Sequence, residues 1–171
     1  MDNHRKNIFL IGFMGVGKST VASRLCEMLD ADLVEMDEEI VRQQDMASSD
    51  IFDEYGEKYF RRLDTELLSE IAQKENQIVS CGGGVVLRKK NVEIMKSCGR
   101  IILLTAHAET IYDRVKGNSD RPLLNGNMSL TYIEELMEER QERYEEAADM
   151  IVSTDSSDIE VVVHEICKKL R

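Results

Sequence analysis

A glycine-rich segment near the start of the chain combines the residue types that bind phosphate groups. Gly12, Gly15 and Gly17 are followed at once by Lys18 and Ser19, in the run GFMGVGKST. Such glycines let backbone N–H groups approach an anion, the lysine can reach terminal phosphates, and the serine hydroxyl can bind magnesium. Chance could produce this run, but an apolar strand precedes it and an amphipathic helix follows it, as phosphate binding at a helix N-terminus requires. The sequence therefore predicts a nucleotide-binding loop.

One arginine lies on an otherwise apolar helix face. In the helix predicted over 129–148, Arg140 follows Ile133 by seven positions and Met137 by three, which places it on the same stripe. An arginine that points inward needs a partner. The alternatives are a buried salt bridge, a side chain that snorkels to the edge, and an anion-binding role, and we favour the last.

Two further charged positions have both a structural and a functional interpretation. Asp37 ends the second predicted strand, where it would project toward the phosphate loop, but it could also be the N-cap of a helix that begins at Glu38. Arg61 and Asp64 lie three apart on a predicted helix and could be a surface ion pair of small energetic worth. The sequence alone leaves these alternatives open.

A triplet of glycines, Gly82, Gly83 and Gly84, follows directly after a predicted strand. Three consecutive glycines carry a large entropic cost on folding, so a compensating requirement must exist. Either something approaches this backbone closely, or the backbone adopts angles that other residues avoid. A tight turn without a ligand is the alternative.

Apolar runs of strand length alternate with helical segments along the chain. Strands are predicted over 8–13, 32–37, 77–81, 100–106 and 150–154, and helices over 18–29, 56–74, 88–97, 107–117, 129–148 and 158–170. This alternation, with strands that are continuously apolar, predicts the α/β class with a parallel sheet covered by helices on both faces. Ligands of such sheets bind at the carboxyl ends of the strands.

The size and charge of the chain exclude several classes of protein. Its 171 residues suit one domain over 1–171. The formal net charge of −11 argues against nucleic-acid and anionic-membrane partners, and no apolar run approaches the ~20 residues that span a bilayer. The polar start and four cysteines without a CxxC pair predict a cytoplasmic protein with reduced, mostly buried thiols. Local arginines must overcome the overall negative field if the ligand is a nucleotide.

Six segments, in order and spacing, resemble the shikimate kinase family. They are GFMGVGKST, MDEEI at 36–40, GEKYFRRLDTE at 56–66, SCGGGVV at 80–86, DRPLL at 120–124 and ERQERY at 139–144. The resemblance implies a three-layer α/β/α P-loop kinase fold with about five parallel strands, substrate-binding helices over about 38–74 and a mobile lid over about 117–128. It also implies a monomer that uses ATP and Mg²⁺ to phosphorylate the 3-hydroxyl of shikimate, in the chorismate pathway to aromatic amino acids.

The resemblance assigns acceptor-binding roles to several residues. It implies that Arg61 and Arg140 bind the shikimate carboxylate, and that Asp37 binds ring hydroxyls and acts as a catalytic residue. The backbone of Gly82, Gly83 and Gly84 is implied to add contacts to the ring.

For the nucleotide, the resemblance implies a contact set that spans the chain. Its members are Gly15, Val16, Gly17, Lys18, Ser19, Thr20, Arg114, Arg121 and Ser157. Lys18 and Arg121 are implied to be catalytic, Arg121 by swinging from the lid over the transferring phosphate. Arg114 is implied to lie beside the adenine. Magnesium is implied to bind Ser19, with Glu35 contributing through water.

The chain departs from the family pattern near the acceptor. Glu35 stands where aspartate is common, and Asp64 stands where glutamate is common, so each charge is displaced by one methylene. The segment 45–50, DMASSD, stands where the family pattern has a glycine followed by a small hydroxyl residue and an isoleucine that faces the shikimate ring. We therefore expect Ala47 to leave extra space in the acceptor pocket.

Three other functions stay open from the sequence. A kinase of the same architecture with a different acceptor is the nearest, and the glycine triplet with Arg61 and Arg140 favours a small carboxylated polyol. A GTPase-like switch would need an Asn-Lys-x-Asp guanine reader, which the sequence lacks. The third is a relative without catalysis, which the presence of Lys18, Asp37 and Arg121 disfavours.

Overall fold

Five parallel strands form the centre of the structure, a computed structural model that describes residues 6–116, 129–155 and 158–171. The strands are β1 (Asn7–Ile11), β2 (Asp32–Glu35), β3 (Gln77–Ser80), β4 (Gly99–Thr105) and β5 (Met150–Ser153). Their spatial order is β2-β3-β1-β4-β5, and every pairing is parallel. The predicted α/β class and five-stranded parallel sheet are confirmed.

Helices flank this sheet. Among the described residues they are α1 (Lys18–Leu29), α2 (Met36–Gln44), α3 (Ser48–Tyr55), α4 (Glu57–Ile71), α5 (Lys89–Cys98), α6 (Ala108–Val115), α7 (Leu130–Ala147) and α8 (Ile159–Leu170), with a 3₁₀ turn over Val85–Leu87. The sequence did not predict α3 as a separate helix. It is set apart by left-handed Asp45 on one side and by Gly56, with φ of 86°, on the other. None of the described helices is long and apolar enough to cross a membrane.

The central and edge strands differ in burial. All five residues of β1 and all four of β3 are buried, as expected for strands covered on both faces. The edge strands are more exposed, and Leu33 of β2 and Ile151 of β5 are about half exposed. Continuously buried strands are therefore a feature of the centre of this sheet and not of its edges.

The second strand is shorter than predicted, which changes the position of Asp37. Strand β2 ends at Glu35, which is the N-cap of α2, and the fully buried Met36 begins that helix. Asp37 is therefore neither a strand end nor an N-cap, and both predictions are wrong on this point. It lies in the first turn of α2, where a carboxylate interacts favourably with the helix dipole.

The strand register brings the chemistry-bearing loops to one edge of the sheet. Leu10, just before the phosphate loop, pairs with Ser80, and Ser80 pairs with Glu35 on its other side. The phosphate loop, the glycine triplet and the start of α2 thus leave the sheet side by side. This edge, formed by carboxyl ends of the strands, is where ligands of parallel sheets bind.

Candidate active site

A cavity of about 420 Å³ lies at the carboxyl edge of the sheet. It is bounded by the phosphate loop, the glycine triplet and helices α2, α3, α4, α6 and α7. Among the described residues, its charged lining consists of the cations Lys18, Arg61, Arg114 and Arg140 and the anions Glu35, Asp37 and Glu38. Cations outnumber anions here, so the cavity offers a local positive excess within an acidic protein, as the charge argument required.

The phosphate loop has the backbone conformation that its glycines predict. Gly15 and Gly17 have φ values of 82° and 97°, in the left-handed region that other residues rarely adopt. The Nζ of Lys18 donates to the carbonyl oxygens of Gly12, at 2.7 Å, and Phe13, at 3.2 Å. The lysine therefore lies over the loop, within reach of any phosphate that the loop binds.

Two side chains with oxygen atoms, one at the start of α1 and one at the end of β2, form a hydrogen-bonded pair. The Ser19 hydroxyl donates to Oε2 of Glu35 at 3.0 Å. Burial raises the pKa of the Glu35 carboxyl, while hydrogen bonds from Ser19 and Ser80 oppose that rise. A hydroxyl and a carboxylate are hard ligands of the kind that Mg²⁺ prefers. Among the described residues no group of three or more His, Cys, Asp or Glu forms a dedicated metal cluster.

Arg114 ties the phosphate loop to the end of β5. Its Nη1 donates to the Gly15 carbonyl oxygen at 3.0 Å, and its Nη2 donates to the Thr154 carbonyl oxygen at 2.7 Å. The buried Thr154 hydroxyl donates to the Val16 carbonyl oxygen at 2.6 Å. The loop is thus held by two neighbouring elements as well as by its own turn.

Arg61 and Asp64 form a buried pair. Their exposures are 8% and 0%, and Nη1 of Arg61 lies 3.2 Å from Oδ2 of Asp64, so the surface-pair interpretation is wrong. Burial raises the pKa of Asp64 to about 7, although the Arg61 guanidinium acts in the opposite direction. Nε of Arg61 and Oδ1 of Asp64 are buried and have no hydrogen-bond partner in the described structure. The pair therefore retains unused hydrogen-bonding capacity inside the protein.

Arg140 is also buried, with 5% exposure. Its Nη1 has no hydrogen-bond partner in the part of the chain that the structure describes, and no salt bridge there includes it. One turn further along α7, the Tyr144 hydroxyl donates to the Gly83 carbonyl oxygen. Burial raises the pKa of Tyr144, and the Arg140 guanidinium opposes that rise. Of the three predicted alternatives, a buried salt bridge is not formed within the described residues, and the arginine points into the cavity with a donor to spare.

The glycine triplet is explained by the approach of these charged side chains. A Cβ atom on Gly82 would lie 2.8 Å from Oδ1 of Asp37, and one on Gly84 would lie 2.3 Å from Cζ of Arg61. On Gly83 it would lie 3.4 Å from Nη1 of Arg140. No member of the triplet has a positive φ. Close approach, not unusual backbone angles, is therefore what requires glycine here.

Two aromatic rings line the side of the cavity that α3 and α4 form. The rings of Phe52 and Phe60 lie 4.7 Å apart between centroids, and Ser48 lines the cavity beside them. Ala47 is exposed at the N-cap of α3 and does not line the cavity. The expected extra space at Ala47 is therefore absent, and the small residue that does border the pocket is Ser48.

The predicted site residues are thus brought together wherever the structure describes them. Of the rest of the phosphate-loop motif, Val16 is buried and Thr20 lies at the cavity in the first turn of α1. Arg121, the other residues of the predicted lid over 117–128, and Ser157 lie outside the described residues.

A family model described as shikimate kinase matches residues 14–171. The chain belongs to the shikimate kinase family. A shikimate kinase from Dehalococcoides mccartyi is 39% identical over 166 residues, which cover 97% of this chain and 92% of that protein. The structure of shikimate kinase from Acinetobacter baumannii in complex with shikimate superposes with a TM-score of 0.93 at 28% identity, covering 97% of this chain and 93% of that one. The enzyme from Aquifex aeolicus gives a TM-score of 0.83 at 36% identity, over 96% and 95% of the two chains.

Several residues at this site were not predicted from the sequence. Thr154 looks like an ordinary strand residue, because its hydroxyl finds the phosphate loop only once β5 lies in the sheet. Ser48 and Phe52 belong to a helix that was not predicted separately. The aromatic spacing from Phe52 to Phe60 gave no usable signal, because Gly56 interrupts the helical period between them.

Proposed function

We propose that this member of the shikimate kinase family transfers the γ-phosphoryl group of ATP to the 3-hydroxyl of shikimate, giving shikimate 3-phosphate and ADP on the route to aromatic amino acids. One observation carries the proposal. Two buried arginines, Arg61 and Arg140, lie against the glycine triplet on the acceptor side of a phosphate loop, and each keeps a buried N–H group that has no hydrogen-bond partner among the described residues.

The two guanidinium groups suit a carboxylate on the acceptor. Each presents a planar set of N–H donors that can form paired, charge-assisted hydrogen bonds with carboxylate oxygens. An unpaired buried N–H is costly, so a ligand that satisfies the groups on Arg61 and Arg140 regains that cost on binding. The aromatic rings of Phe52 and Phe60 supply an apolar surface for the face of a six-membered ring.

Asp37 is the catalytic carboxylate in this proposal. It lies against Gly82 at the mouth of the acceptor pocket and lines the same cavity as Lys18. There it can orient the acceptor hydroxyl and accept its proton as that oxygen attacks the γ-phosphorus in line. The phosphate loop and Lys18 bind the phosphate chain and stabilise the charge that develops during transfer.

The oxygen atoms of Ser19 and Glu35, beside the phosphate loop, are suitable ligands for Mg²⁺. Ser19 would hold it directly, and Glu35 would hold it through water, in keeping with their 3.0 Å contact. When bound beside the phosphates of ATP, the ion neutralises negative charge and so favours phosphoryl transfer.

The remaining roles follow the family assignment. Arg121 closes over the transferring phosphate with the lid and excludes water, Arg114 lies beside the adenine, and Ser157 contacts the nucleotide. The family resemblance also supports a monomeric enzyme. The four cysteines are free, although only Cys81 is fully buried, and this supports a location in the reducing cytoplasm.

The test is ADP release by the purified protein with MgATP, measured with each of three acceptors, shikimate, quinate and gluconate, and without an acceptor. The proposal predicts rapid release with shikimate alone, and a product of the mass of shikimate phosphate. Turnover with another polyol acid, or slow hydrolysis that no acceptor accelerates, would contradict it.

A further inference from the structure

A hydrogen-bonded network of buried polar side chains lies next to Arg61, outside the cavity lining. Thr65 follows Arg61 by one turn of α4, and its hydroxyl lies 2.6 Å from Oδ1 of Asn91, a fully buried residue of α5. Nδ2 of Asn91 donates to the carbonyl oxygen of Val85, the first residue after the glycine triplet, at 2.9 Å. Two side chains therefore connect the helix that carries Arg61 to the segment against which Arg61 lies.

The protons in this network can be assigned. The single Thr65 proton has two acceptors in range, Oδ1 of Asn91 at 2.6 Å and the Arg61 carbonyl oxygen at 3.2 Å, and the shorter contact takes it. Nη1 of Arg88 donates to the Thr65 hydroxyl oxygen at 2.8 Å and lies 3.3 Å from the Arg61 carbonyl oxygen. Neither Thr65 nor Asn91 has a buried polar atom without a partner. Fully satisfied buried networks of this kind hold one arrangement of the elements that they join.

We propose that Thr65 and Asn91 are positioning residues for the acceptor site, and this inference rests on the proposed function. Their hydrogen bonds fix the separation between α4 and the backbone that follows the triplet. That separation matters because the Arg61 guanidinium fits only where Gly84 lacks a Cβ, at 2.3 Å from where that atom would stand. A small shift of α4 would move the guanidinium off the carboxylate, and binding geometry tolerates little displacement.

Nucleotide binding gives the contrast that makes the proposal testable. The phosphate loop is held by Arg114 and Thr154, and neither hydrogen-bonds to Thr65 or Asn91. Loss of the Thr65 hydroxyl should therefore affect the acceptor and spare ATP. If the hydroxyl had a merely structural role, its loss would weaken the binding of both substrates to a similar extent.

The experiment compares Thr65→Val with wild type, measuring kcat and the KM of each substrate. Valine keeps the shape but removes the hydroxyl, so we expect the shikimate KM to rise roughly five-fold or more, and the ATP KM to stay within about two-fold. Thr65→Ser should restore the wild-type shikimate KM. Ser69→Ala is the matched control, because that hydroxyl lies one turn further along α4 and, among the described residues, bonds only to the Thr65 carbonyl oxygen of its own helix.

An unchanged shikimate KM in Thr65→Val, or an equal rise for both substrates, overturns the proposal. If wild type releases no ADP with shikimate, the proposed function fails and this inference fails with it. If Thr65→Val does not fold, Asn91→Leu is measured in the same way, since it keeps a similar volume but removes both hydrogen bonds that connect Thr65 to Val85. A raised shikimate KM with unchanged ATP KM then supports the proposal, and an unchanged shikimate KM overturns it.

Discussion

In the proposed site, side chains build the acceptor half, whereas the backbone builds most of the nucleotide half. On the acceptor side, Arg61 and Arg140 are buried against a glycine backbone with ordinary angles. On the nucleotide side, the loop depends on left-handed Gly15 and Gly17. A site made of backbone can be recognised as a local motif, but one made of side chains from distant helices exists only once the fold has formed.

The arginines of the two halves also differ. On the nucleotide side, Arg114 is satisfied by carbonyl oxygens of the protein, through both Nη atoms. On the acceptor side, Arg61 and Arg140 each leave a buried nitrogen without a partner within the described structure. Arg114 therefore already stabilises the loop, whereas Arg61 and Arg140 retain donors that a ligand can satisfy.

The largest effect expected on the acceptor side comes from Asp37→Asn. If Asp37 orients and deprotonates the acceptor hydroxyl as proposed, loss of its carboxylate should lower kcat by about 10²–10⁴-fold. Calorimetric titration should still detect shikimate binding, because both arginines remain. The matched control is Glu38→Gln, which changes the neighbouring cavity carboxylate. An equal loss of kcat in that control would show that the negative charge of the cavity matters and not the position of Asp37.

Burial of charge on the acceptor side should appear in the pH dependence of stability. The pKa of Asp64 in the folded protein is about 7, above its unfolded value of about 4, so the folded state binds this proton more tightly. Its contribution to the free energy of unfolding is therefore full below pH ~4 and is lost as the pH rises toward ~7. Asp64→Asn should lack this loss. Between pH 5 and pH 8, its free energy of unfolding in urea should therefore rise by about 2–3 kcal/mol relative to that of wild type.

Parallel stability curves for wild type and Asp64→Asn would show that the carboxylate stays ionised throughout this range. Asp113→Asn serves as a control, because Asp113 is exposed and pairs only with Lys116 of those residues that the structure describes. Its curve should follow wild type.

Gly84→Ala tests whether glycine is needed to admit Arg61. The new Cβ would overlap the guanidinium, which is the end of a flexible side chain, so the fold should survive while Arg61 moves. We expect the shikimate KM to rise about ten-fold, the loss of one charge-assisted hydrogen bond. Gly83→Ala, where the contact would be 3.4 Å, should have a smaller effect. Equal effects at both positions would argue against close approach as the reason for the triplet.

On the nucleotide side, Thr154→Val should give the smallest change. It removes the hydrogen bond to the Val16 carbonyl oxygen, so the ATP KM should rise by a few-fold, roughly the worth of one neutral hydrogen bond. The shikimate KM should not change. Thr110→Val removes a hydroxyl that bonds Asp155, away from the loop, and should leave both values unchanged. A rise in the shikimate KM with Thr154→Val would mean that the two halves are not independent.

The sequence was sufficient to predict the sheet, most helices and the phosphate loop. These features depend on local periodicity and on glycine spacing, which are visible without the fold. Prediction was less accurate at the boundaries where one strand or helix ends and the next begins. The sequence placed Asp37 at a strand end, because the apolar character of β2 runs into Met36, which in fact begins α2 and packs into the core.

Side-chain burial and long-range side-chain pairing were the other limits of prediction. Arg61 and Asp64 looked like a surface pair because a three-residue spacing on a helix does not reveal which face is buried. The glycine triplet signalled that something must approach it closely, yet only the fold shows that the approaching groups are Asp37, Arg61 and Arg140. The hydroxyl of Thr65 carried no sequence signal, since its partner Asn91 is 26 residues away.

The most direct test of the two-part site is Arg140→Ala, with Arg143→Ala as its control. Arg143 lies one turn further along α7, but it is exposed and donates to the Leu87 carbonyl oxygen. If Arg140 binds the acceptor carboxylate, the shikimate KM should rise about 10–150-fold, the value of a hydrogen bond to a charged group, while the ATP KM stays unchanged. Equal losses for both substrates, or equal behaviour of the two variants, would contradict the division into acceptor and nucleotide halves.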